Sequence, residues 1–271
     1  MQLNEVYKIA DELAPKAISD EACQKYGYYD NSGILVDTGE DVKGILFSLD
    51  LSDKAIDKAL EVGANLIITH HPAIYGGIGE RLTQDTPLGR KLCLCIKNGI
   101  SIIAMHLNLD FAKDGIDEYL MNGIAYPFNK TTGAGTSLIA SMHVLPNGSY
   151  GRAYAIDETP LQILVQHISK EFESDKTIFY GDKDKRIRRI ASFCGAGADE
   201  EAILFAKKNQ VDVIISSDFK HHVLALAQEM GLAVIVMTHY ASENYGFKKY
   251  SKKISQRVNV PCVEYTDQNL L

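Results

Sequence analysis

The sequence predicts an α/β fold, and three observations support this prediction. Apolar runs of strand length alternate along the chain with stretches whose apolar residues recur at helical spacing. Between Val42 and Ile68 the order is strand, helix, strand, which is typical of a βαβ unit whose sheet is covered by helices. A second stretch, beginning near Asp199, repeats this pattern. With 271 residues, the chain is long enough for one large domain or two ordinary ones.

The elements of the first half follow from local patterns. Within residues 3–18, apolar side chains at helical spacing predict a helix that is ended by Pro15, and residues 20–33 look irregular. Ser52 and Asp53 offer an N-cap and a first-turn acid for a helix that stops at Gly63. The other elements predicted here are strands at 34–36, 42–49, 66–68 and 100–105 and helices at 87–98 and 111–121.

The second half begins with a change in amino-acid composition. Glycine, threonine and short strands dominate from about 122 to 160, which marks a plausible domain boundary. Pro160 then begins a predicted helix over 160–173, because proline is favoured at the start of helices. Further on, the patterns predict strands at 176–180, 187–194, 213–215 and from 234, and helices at 219–230 and 244–255.

The repeat can be checked by a fixed offset. Adding 147 places Ser52 on Asp199, His71 on Asp218 and the strand 66–68 on 213–215. Adding 133 places His106 on His239 and Asp110 on Glu243. Any two βαβ units resemble each other to some degree, so generic similarity is an alternative. The His-x-x-x-carboxylate pattern after both strands favours a true duplication.

Composition and charge exclude some classes of protein. The net charge of −7 argues weakly against a surface that binds nucleic acid by neutralising phosphates, and the basic run 183–189 is interpreted as a solvated loop. The five cysteines form neither a disulfide framework nor a C-x-x-C pair, which fits a reducing compartment. No signal peptide and no apolar run of about 18 residues is evident, so we expect a cytoplasmic protein without a membrane partner.

The strongest candidate for chemistry is the pair His70 and His71, which ends an apolar strand. In open α/β sheets, ligands lie at the carboxyl ends of the strands. Pro72 favours an extended conformation for the residue before it, so both side chains can turn towards one cleft. A single histidine there is more often structural, but this pair is followed one strand later by His106 and Asp110.

Asp110 and Glu243 each follow a strand at the predicted start of a helix. N-capping or the helix dipole would explain either carboxylate, but not the histidine four residues before each one. Histidine and carboxylate ligands together suit Zn, Mn, Fe or Mg, and five such ligands could hold two ions about 3.5–4 Å apart.

Asp218, His221 and His222 form a second polar group after the repeated strand. They could supply further ligands, orient a ligating imidazole, or act as general acid or base. Alternatively, Asp218 caps the following helix and the two histidines lie on its exposed side.

Six motifs, in this order, carry a specific resemblance: Asp30-Asn-Ser-Gly33, Ile67-Ile-Thr-His70-His71-Pro72, His106-Leu-Asn-Leu-Asp110, Gly195-Ala-Gly197, Asp218-Phe-Lys-His221-His222 and His239-Tyr-Ala-Ser-Glu243. Together they resemble the Nif-three-like family (Ngg-one-interacting factor three), whose members are often described as GTP cyclohydrolase I type 2 homologues. The resemblance covers about residues 3 to 265. Tyr29, Ser217 and Thr238 depart from the tryptophan and the two glycines often found in the family, which leaves the shape of the pocket open.

The resemblance implies two intertwined α/β repeats, with mixed sheets flanked by helices and a dinuclear metal site in the cleft between them. It implies a first domain of 1–125 with 232–271, a second of 126–231, and a toroidal homohexamer. The implied metal ligands are His70, His71, Asp110, His239 and Glu243, with Glu243 as the bridge. His106, Asp218 and His222 are then left as candidates for catalytic acid/base or orienting roles.

Three functions follow as hypotheses. The first is a hydrolase that uses two divalent ions of unknown identity to activate water against a nucleotide or related heterocycle, in the manner of the GTP cyclohydrolase homologues. The alternative is a non-catalytic metal-binding regulatory or interaction protein. The third is a purely structural metal site.

Overall fold

The computed structural model describes residues 1–76, 82–129 and 137–271. The elements, in chain order, are α1 (Leu3–Leu13), α2 (Lys16–Tyr26), β1 (Gly33–Val36), β2 (Ile45–Ser48), α3 (Asp53–Val62), β3 (Leu66–Thr69), α4 (Pro87–Lys97), β4 (Ser101–Ala104), α5 (Leu107–Phe111) and α6 (Ile116–Ala125). After a short 3-10 turn they continue with β5 (Ser137–Leu145), β6 (Gly148–Pro160), α7 (Leu161–Glu171), β7 (Ile178–Tyr180), β8 (Arg186–Ser192), α8 (Glu200–Lys208), β9 (Val213–Ser216), α9 (His221–Glu229), β10 (Ala233–Val236), α10 (His239–Ser255) and β11 (Cys262–Tyr265).

The chain divides into two compact units that interleave in sequence. Unit 1 comprises Met1–Ala112 and Phe247–Thr266, and unit 2 comprises Lys113–Gly246 and Asp267–Leu271. The sequence-based division at 125 and 232 therefore differs from the structure at both boundaries. Helix α6 belongs to unit 2 because it packs against β6 and α7 of that unit.

Unit 1 is built on a five-stranded sheet in the order β1-β4-β3-β2-β11. Strands β11, β2, β3 and β4 run parallel, and β1 pairs antiparallel to β4 at one edge. Every residue of β2, β3 and β4 is buried, as expected for parallel strands covered on both faces. Ser52 caps α3 and Gly63 ends it in the left-handed conformation, as the sequence predicts.

Unit 2 is built on a six-stranded sheet in the order β5-β6-β8-β9-β10-β7. Strands β8, β9 and β10 are parallel, whereas β5, β6 and β7 pair antiparallel with their neighbours. Its core includes Ala153, Phe193, Ile203, Ile214 and Val234, which are all buried. The predicted fold class, α/β with mixed sheets flanked by helices, is confirmed.

The two units share a local plan that matches the predicted offset. The side chain of Ser52 accepts a hydrogen bond from the Ala55 amide, and that of Asp199 accepts one from the Ala202 amide. Strands β3 and β9 are also 147 residues apart. The same capping contact at the same offset supports a duplication.

Three sequence-based elements need correction. Residues 16–26 form α2, because Ile18 and Ala22 are buried on one face and Gly27 ends the helix in the left-handed conformation. Residues 107–125 form two helices, so Asp110 lies within α5 instead of preceding a helix. Helix α10 begins at His239, so Glu243 lies one turn inside it. In the described residues, no helix is both long and apolar enough to cross a membrane.

Candidate metal centre

Unit 1 brings three histidines together at one edge of its sheet. His70 and His71 directly follow β3, and both of their backbone amides donate to the Leu49 carbonyl. His106 follows the neighbouring strand β4 and stands at the N-cap of α5. Since β3 and β4 are parallel and adjacent, their carboxyl ends meet at the same edge. The ring centroids lie 4.8 Å (His70–His71), 5.2 Å (His70–His106) and 5.8 Å (His71–His106) apart.

These three residues, termed here the histidine group, could hold a metal ion. One nitrogen from each ring lies within 4.8 Å of the nitrogens offered by the other two. His70 is fully buried, and His71 and His106 are partly exposed. Nitrogen donors at one sheet edge, reachable from solvent on one side, suit an ion that must also meet a ligand.

Each histidine of the group has its Nδ1 atom held by an oxygen. Nδ1 lies 2.8 Å from the Met105 carbonyl in His70, 2.7 Å from Asp50 Oδ1 in His71, and 2.7 Å from Asp30 Oδ1 in His106. A carbonyl or carboxylate oxygen can only accept, so the hydrogen of each neutral ring resides on Nδ1. The lone pair therefore resides on Nε2, which is the arrangement of metal-ligating histidines with an orienting acceptor.

Asp30 is the most firmly held of these acceptors. Its second oxygen accepts hydrogen bonds from the hydroxyls of Ser19 and Ser32, and Ser32 in turn accepts from the His106 amide at 3.0 Å. Burial alone would raise the pKa of Asp30. The hydrogen bond and charge of His106, with the two serine bonds, outweigh burial and lower the pKa to about 2. Asp30 therefore stays ionised near neutral pH and fixes the orientation of the His106 ring.

Asp110 brings a carboxylate to the histidine group. It lies one helical turn after His106, and its Oδ1 atom is 3.5 Å from His70 Nε2. The Asp110 side chain is only 7% exposed. A buried carboxylate this close to a lone-pair nitrogen is favoured when a cation lies between them, because two electron-rich atoms otherwise repel each other.

Unit 2 carries a second set of donors on the first turns of α10. His239 and Glu243 lie four residues apart on one face of the helix, with Nε2 3.1 Å from Oε2. His239 Nδ1 lies 2.5 Å from Asp218 Oδ2. His239 is therefore oriented by a carboxylate in the same way as His71 and His106. Asp218 has the geometry of the orienting residue that the sequence suggested as one of its roles.

A tight loop at Gly195 lies directly against His239 and Glu243 within unit 2. Gly195 has a φ of +57°, and a Cβ atom built on it would lie 2.2 Å from Glu243 Oε1 and 3.3 Å from His239 Nε2. The loop is held on both sides, because the Gly195 amide donates to Ser242 Oγ and the Gly195 carbonyl accepts from Ser216 and Ser217. Only glycine allows the backbone to approach the carboxylate so closely.

The buried carboxylate of Asp117 anchors the residue before this loop. One of its oxygens accepts from the Cys194 amide at 3.2 Å, and the other accepts from the Gly151 amide and the Arg152 guanidinium. The side chains of Asp117 and Arg152 are 0% and 4% exposed. This ion pair is satisfied by hydrogen bonds on both sides, which a charge pair at this depth requires.

The structure places the His222 side chain on an exposed face of α9. His222 is the second residue of α9, whose buried face carries Val223 and Ala227, so its ring points outward. Its Nε2 atom lies 3.7 Å from Glu200 on an exposed surface, and the side chain is 62% exposed. This placement matches the alternative in which the histidines lie on the exposed side of the helix. His106, in contrast, lies within the histidine group, which favours a ligand role over an acid/base role.

Asp50 and Asp117 were missed by sequence reasoning, and Asp30 was noted only as part of a motif. Asp50 could have been found, because it follows β2 at the same sheet edge as His70 and His71. Asp117 offers no such signal, since its partners lie more than thirty residues away in sequence.

The donor chemistry fits a divalent ion. Imidazole nitrogens with acceptor-bound Nδ1 atoms, combined with carboxylates, are the ligands of zinc, manganese and iron sites. The chain is therefore an α/β protein with candidate metal-binding residues, histidines and carboxylates, that follow its parallel strands.

The chain belongs to the Duf34/NIF3 (NGG1p interacting factor 3) family, whose model matches residues 1–269. This confirms the resemblance drawn from the motifs. The chain is 31% identical over 261 residues to a GTP cyclohydrolase 1 type 2 homolog of Clostridium perfringens, with 96% of this chain and 93% of the relative covered. It is 30% identical over 258 residues to the homolog of Clostridium acetobutylicum, with 94% and 90% covered. The crystal structure of a Bacillus cereus protein related to NIF3 has the same fold, with a TM-score of 0.77, 18% identity, and 98% and 96% of the two chains covered.

Proposed function

We propose that the protein is a divalent-metal-dependent hydrolase that acts on a nucleotide or a related heterocycle. The proposed ligands are His70, His71, Asp110, His239 and Glu243, and His106 is added on the basis of its position in the histidine group. The observation that carries the proposal is that an oxygen lies at Nδ1 of four histidines, because this contact orients the ring and leaves the Nε2 lone pair available to a metal ion. We further propose that the protein would hold two metal ions, as the resemblance to the family implies.

The chemistry of such a site assigns different tasks to the residues. A bound divalent ion would lower the pKa of a coordinated water and so supply a nucleophile near neutral pH. Asp30, Asp50 and Asp218 hold the Nδ1 hydrogens of their histidines and so keep the ring orientations fixed. Gly195 limits the positions open to the Glu243 carboxylate.

The choice of a nucleotide or related heterocycle as substrate is supported by the relatives. The two clostridial relatives are named GTP cyclohydrolase 1 type 2 homologs. Hydrolytic ring opening of a purine and hydrolysis of a phosphoester both require an activated water, so the same donors would serve either reaction.

The test is turnover by the purified protein loaded in turn with Zn²⁺, Mn²⁺, Fe²⁺ or Mg²⁺, against a panel of nucleotides and simple phosphoesters. We expect turnover with at least one metal, loss of turnover on chelation, and loss of bound metal in Glu243→Ala. The matched control is His221→Asn, because His221 is an exposed histidine on α9. Absence of metal-dependent turnover over the whole panel, or full activity in a folded Glu243→Ala protein, would refute the proposal.

A second candidate is a non-catalytic metal-binding interaction protein, which the words "interacting factor" in the family description favour. In that case the protein binds metal with no turnover of any substrate. A purely structural site would instead be revealed if chelation lowers the melting temperature strongly and no small molecule competes for the metal.

The homohexamer implied by the resemblance is also proposed. The strand β5 supports self-association, because it is the terminal strand of the described six-stranded sheet and its side chains Leu138, Ile139 and Val144 are exposed apolar groups. Light scattering on the intact protein measures the number of subunits.

A further inference from the structure

Two exposed tyrosines lie beside the histidine group in unit 1. Tyr29 is 51% exposed and Tyr75 is 56% exposed. The Tyr75 ring lies 6.1 Å from the His106 ring, nearly perpendicular to it, and 5.1 Å from the Tyr29 ring in an edge-to-face contact. These two residues are termed here the tyrosine row, since their rings continue outward from His106.

The tyrosine row is fixed to the loops that build the histidine group. The Tyr75 hydroxyl donates to the Tyr29 carbonyl at 3.1 Å. The Asn31 amide side chain donates to the Ile74 carbonyl at 2.7 Å, which joins the two loops a second time. Asp30, between Tyr29 and Asn31, binds His106. The rings are therefore tied to the metal ligands, unlike an isolated surface tyrosine that samples many rotamers.

We propose that the tyrosine row is a stacking surface that binds the planar aromatic ring of a ligand whose other end reaches the histidine group. This proposal deepens the proposed function and rests on it for the role of the metal. Half-exposed aromatic rings held rigidly lose little conformational entropy on binding, and the π-face of any nucleobase or similar heterocycle stacks on them.

The chemical class of ligand follows from what the row offers. The Tyr75 hydroxyl already donates its hydrogen to a backbone carbonyl, so the largest surface that this residue offers a ligand is its ring. Ring surface favours a flat heterocycle such as a purine over a sugar phosphate without a base. The row would therefore determine specificity, whereas the metal would be shared by all substrates.

The sequence makes a direct measurement of stacking simple. The chain contains no tryptophan, so Tyr29→Trp introduces a single fluorescent reporter within the row. In the zinc-loaded protein we expect guanosine and GMP to quench this tryptophan in a saturable way, and ribose 5-phosphate to leave it unchanged. The matched control is Tyr126→Trp, because Tyr126 is an 80% exposed tyrosine of unit 2, and its reporter should respond to none of the three.

A pair of variants at Tyr75 tests the ring itself. Base–aromatic stacking accounts for roughly a ten- to hundred-fold change in affinity on removal of the ring, so Tyr75→Leu should weaken GMP binding by about this factor. Tyr75→Phe keeps the ring and should bind GMP within about three-fold of the unchanged protein. Both are measured by calorimetry on the zinc-loaded protein.

The outcomes separate this proposal from the proposed function. Equal binding of GMP by Tyr75→Leu and the unchanged protein, or equal affinity for GMP and ribose 5-phosphate, overturns the stacking surface even if hydrolysis occurs. A reporter signal that changes with protein concentration and not with ligand also overturns it, because a second copy then covers the row. Ring-selective binding without any turnover sustains the stacking surface and refutes the hydrolase.

Discussion

Replacing Gly195 by alanine tests the idea that a backbone loop confines the Glu243 carboxylate. The new Cβ atom would lie 2.2 Å from Glu243 Oε1, whereas ordinary contacts begin at 3.4 Å. The loop cannot retreat easily, since its amide and carbonyl are both engaged by serine hydroxyls. The carboxylate must therefore move, and with it one of the proposed metal ligands.

The expected size of the effect has two parts. A left-handed backbone at a residue with a Cβ costs about 1–2 kcal/mol of unfolding free energy, which Gly195→Ala incurs at φ +57°. Displacement of a ligand by more than a few tenths of an ångström adds a loss of metal affinity of at least about ten-fold.

The assay compares metal affinity by competition with a chromophoric chelator and stability by urea unfolding without metal. Gly231→Ala is the matched control: Gly231 lies in the same unit, has a φ of +74°, and its added Cβ would meet no atom within 4 Å. We expect both variants to lose similar backbone stability and only Gly195→Ala to lose metal affinity. Wild-type metal affinity in a folded Gly195→Ala protein would refute the reasoning.

Three further predictions concern single side chains. Asp218→Asn should weaken metal binding by about 10–100-fold, measured by the same competition assay, because an amide orients His239 less strongly than a carboxylate; unchanged affinity would contradict this. The pKa of Asp30 is lowered from 3.8 to about 2, so its ionisation stabilises the folded state by about 2 kcal/mol above pH 4. This stabilisation is lost as the pH falls towards 2. In urea unfolding without metal, the unfolding free energy of Asp30→Asn should therefore fall less between pH 5 and pH 2 than that of the unchanged protein. Burial raises the pKa of the Cys95 thiol to about 11 and leaves its side chain without solvent exposure, so iodoacetamide should not label Cys95 in the folded protein at pH 8, and labelling there would contradict the burial.

Much of the fold was predictable because its signals are local. A few neighbouring residues are enough to predict the buried strands β3 and β9 and the N-caps Ser52 and Asp199, and the structure confirms them. Helix α2 was missed because its apolar residues are few, and its identity depends on packing against α5. Packing partners distant in sequence leave no local pattern.

The candidate site shows the same limit more sharply. Residue type and strand position were sufficient to select His70, His71 and His239. The acceptors that orient the imidazoles were harder to assign, since Asp50 lies 21 residues from His71 and Asp30 lies 76 residues from His106. His222 was selected by its motif, but the helical phase of α9 turns it towards solvent. A motif fixes which residues occur together, whereas the backbone direction decides which of them face each other.

The acceptor held by each imidazole has a consequence for how quickly a metal can be taken up. A histidine in solution exchanges its hydrogen between two nitrogens, so some encounters with an ion meet the nitrogen that carries the hydrogen. In the folded protein, an oxygen atom keeps the hydrogen of each ring on Nδ1. The oxygens belong to the Met105 carbonyl and to the carboxylates of Asp50, Asp30 and Asp218. Loading then requires the ion to shed water and little rearrangement of the protein, so the rate of uptake should be set by the ion's own ligand exchange.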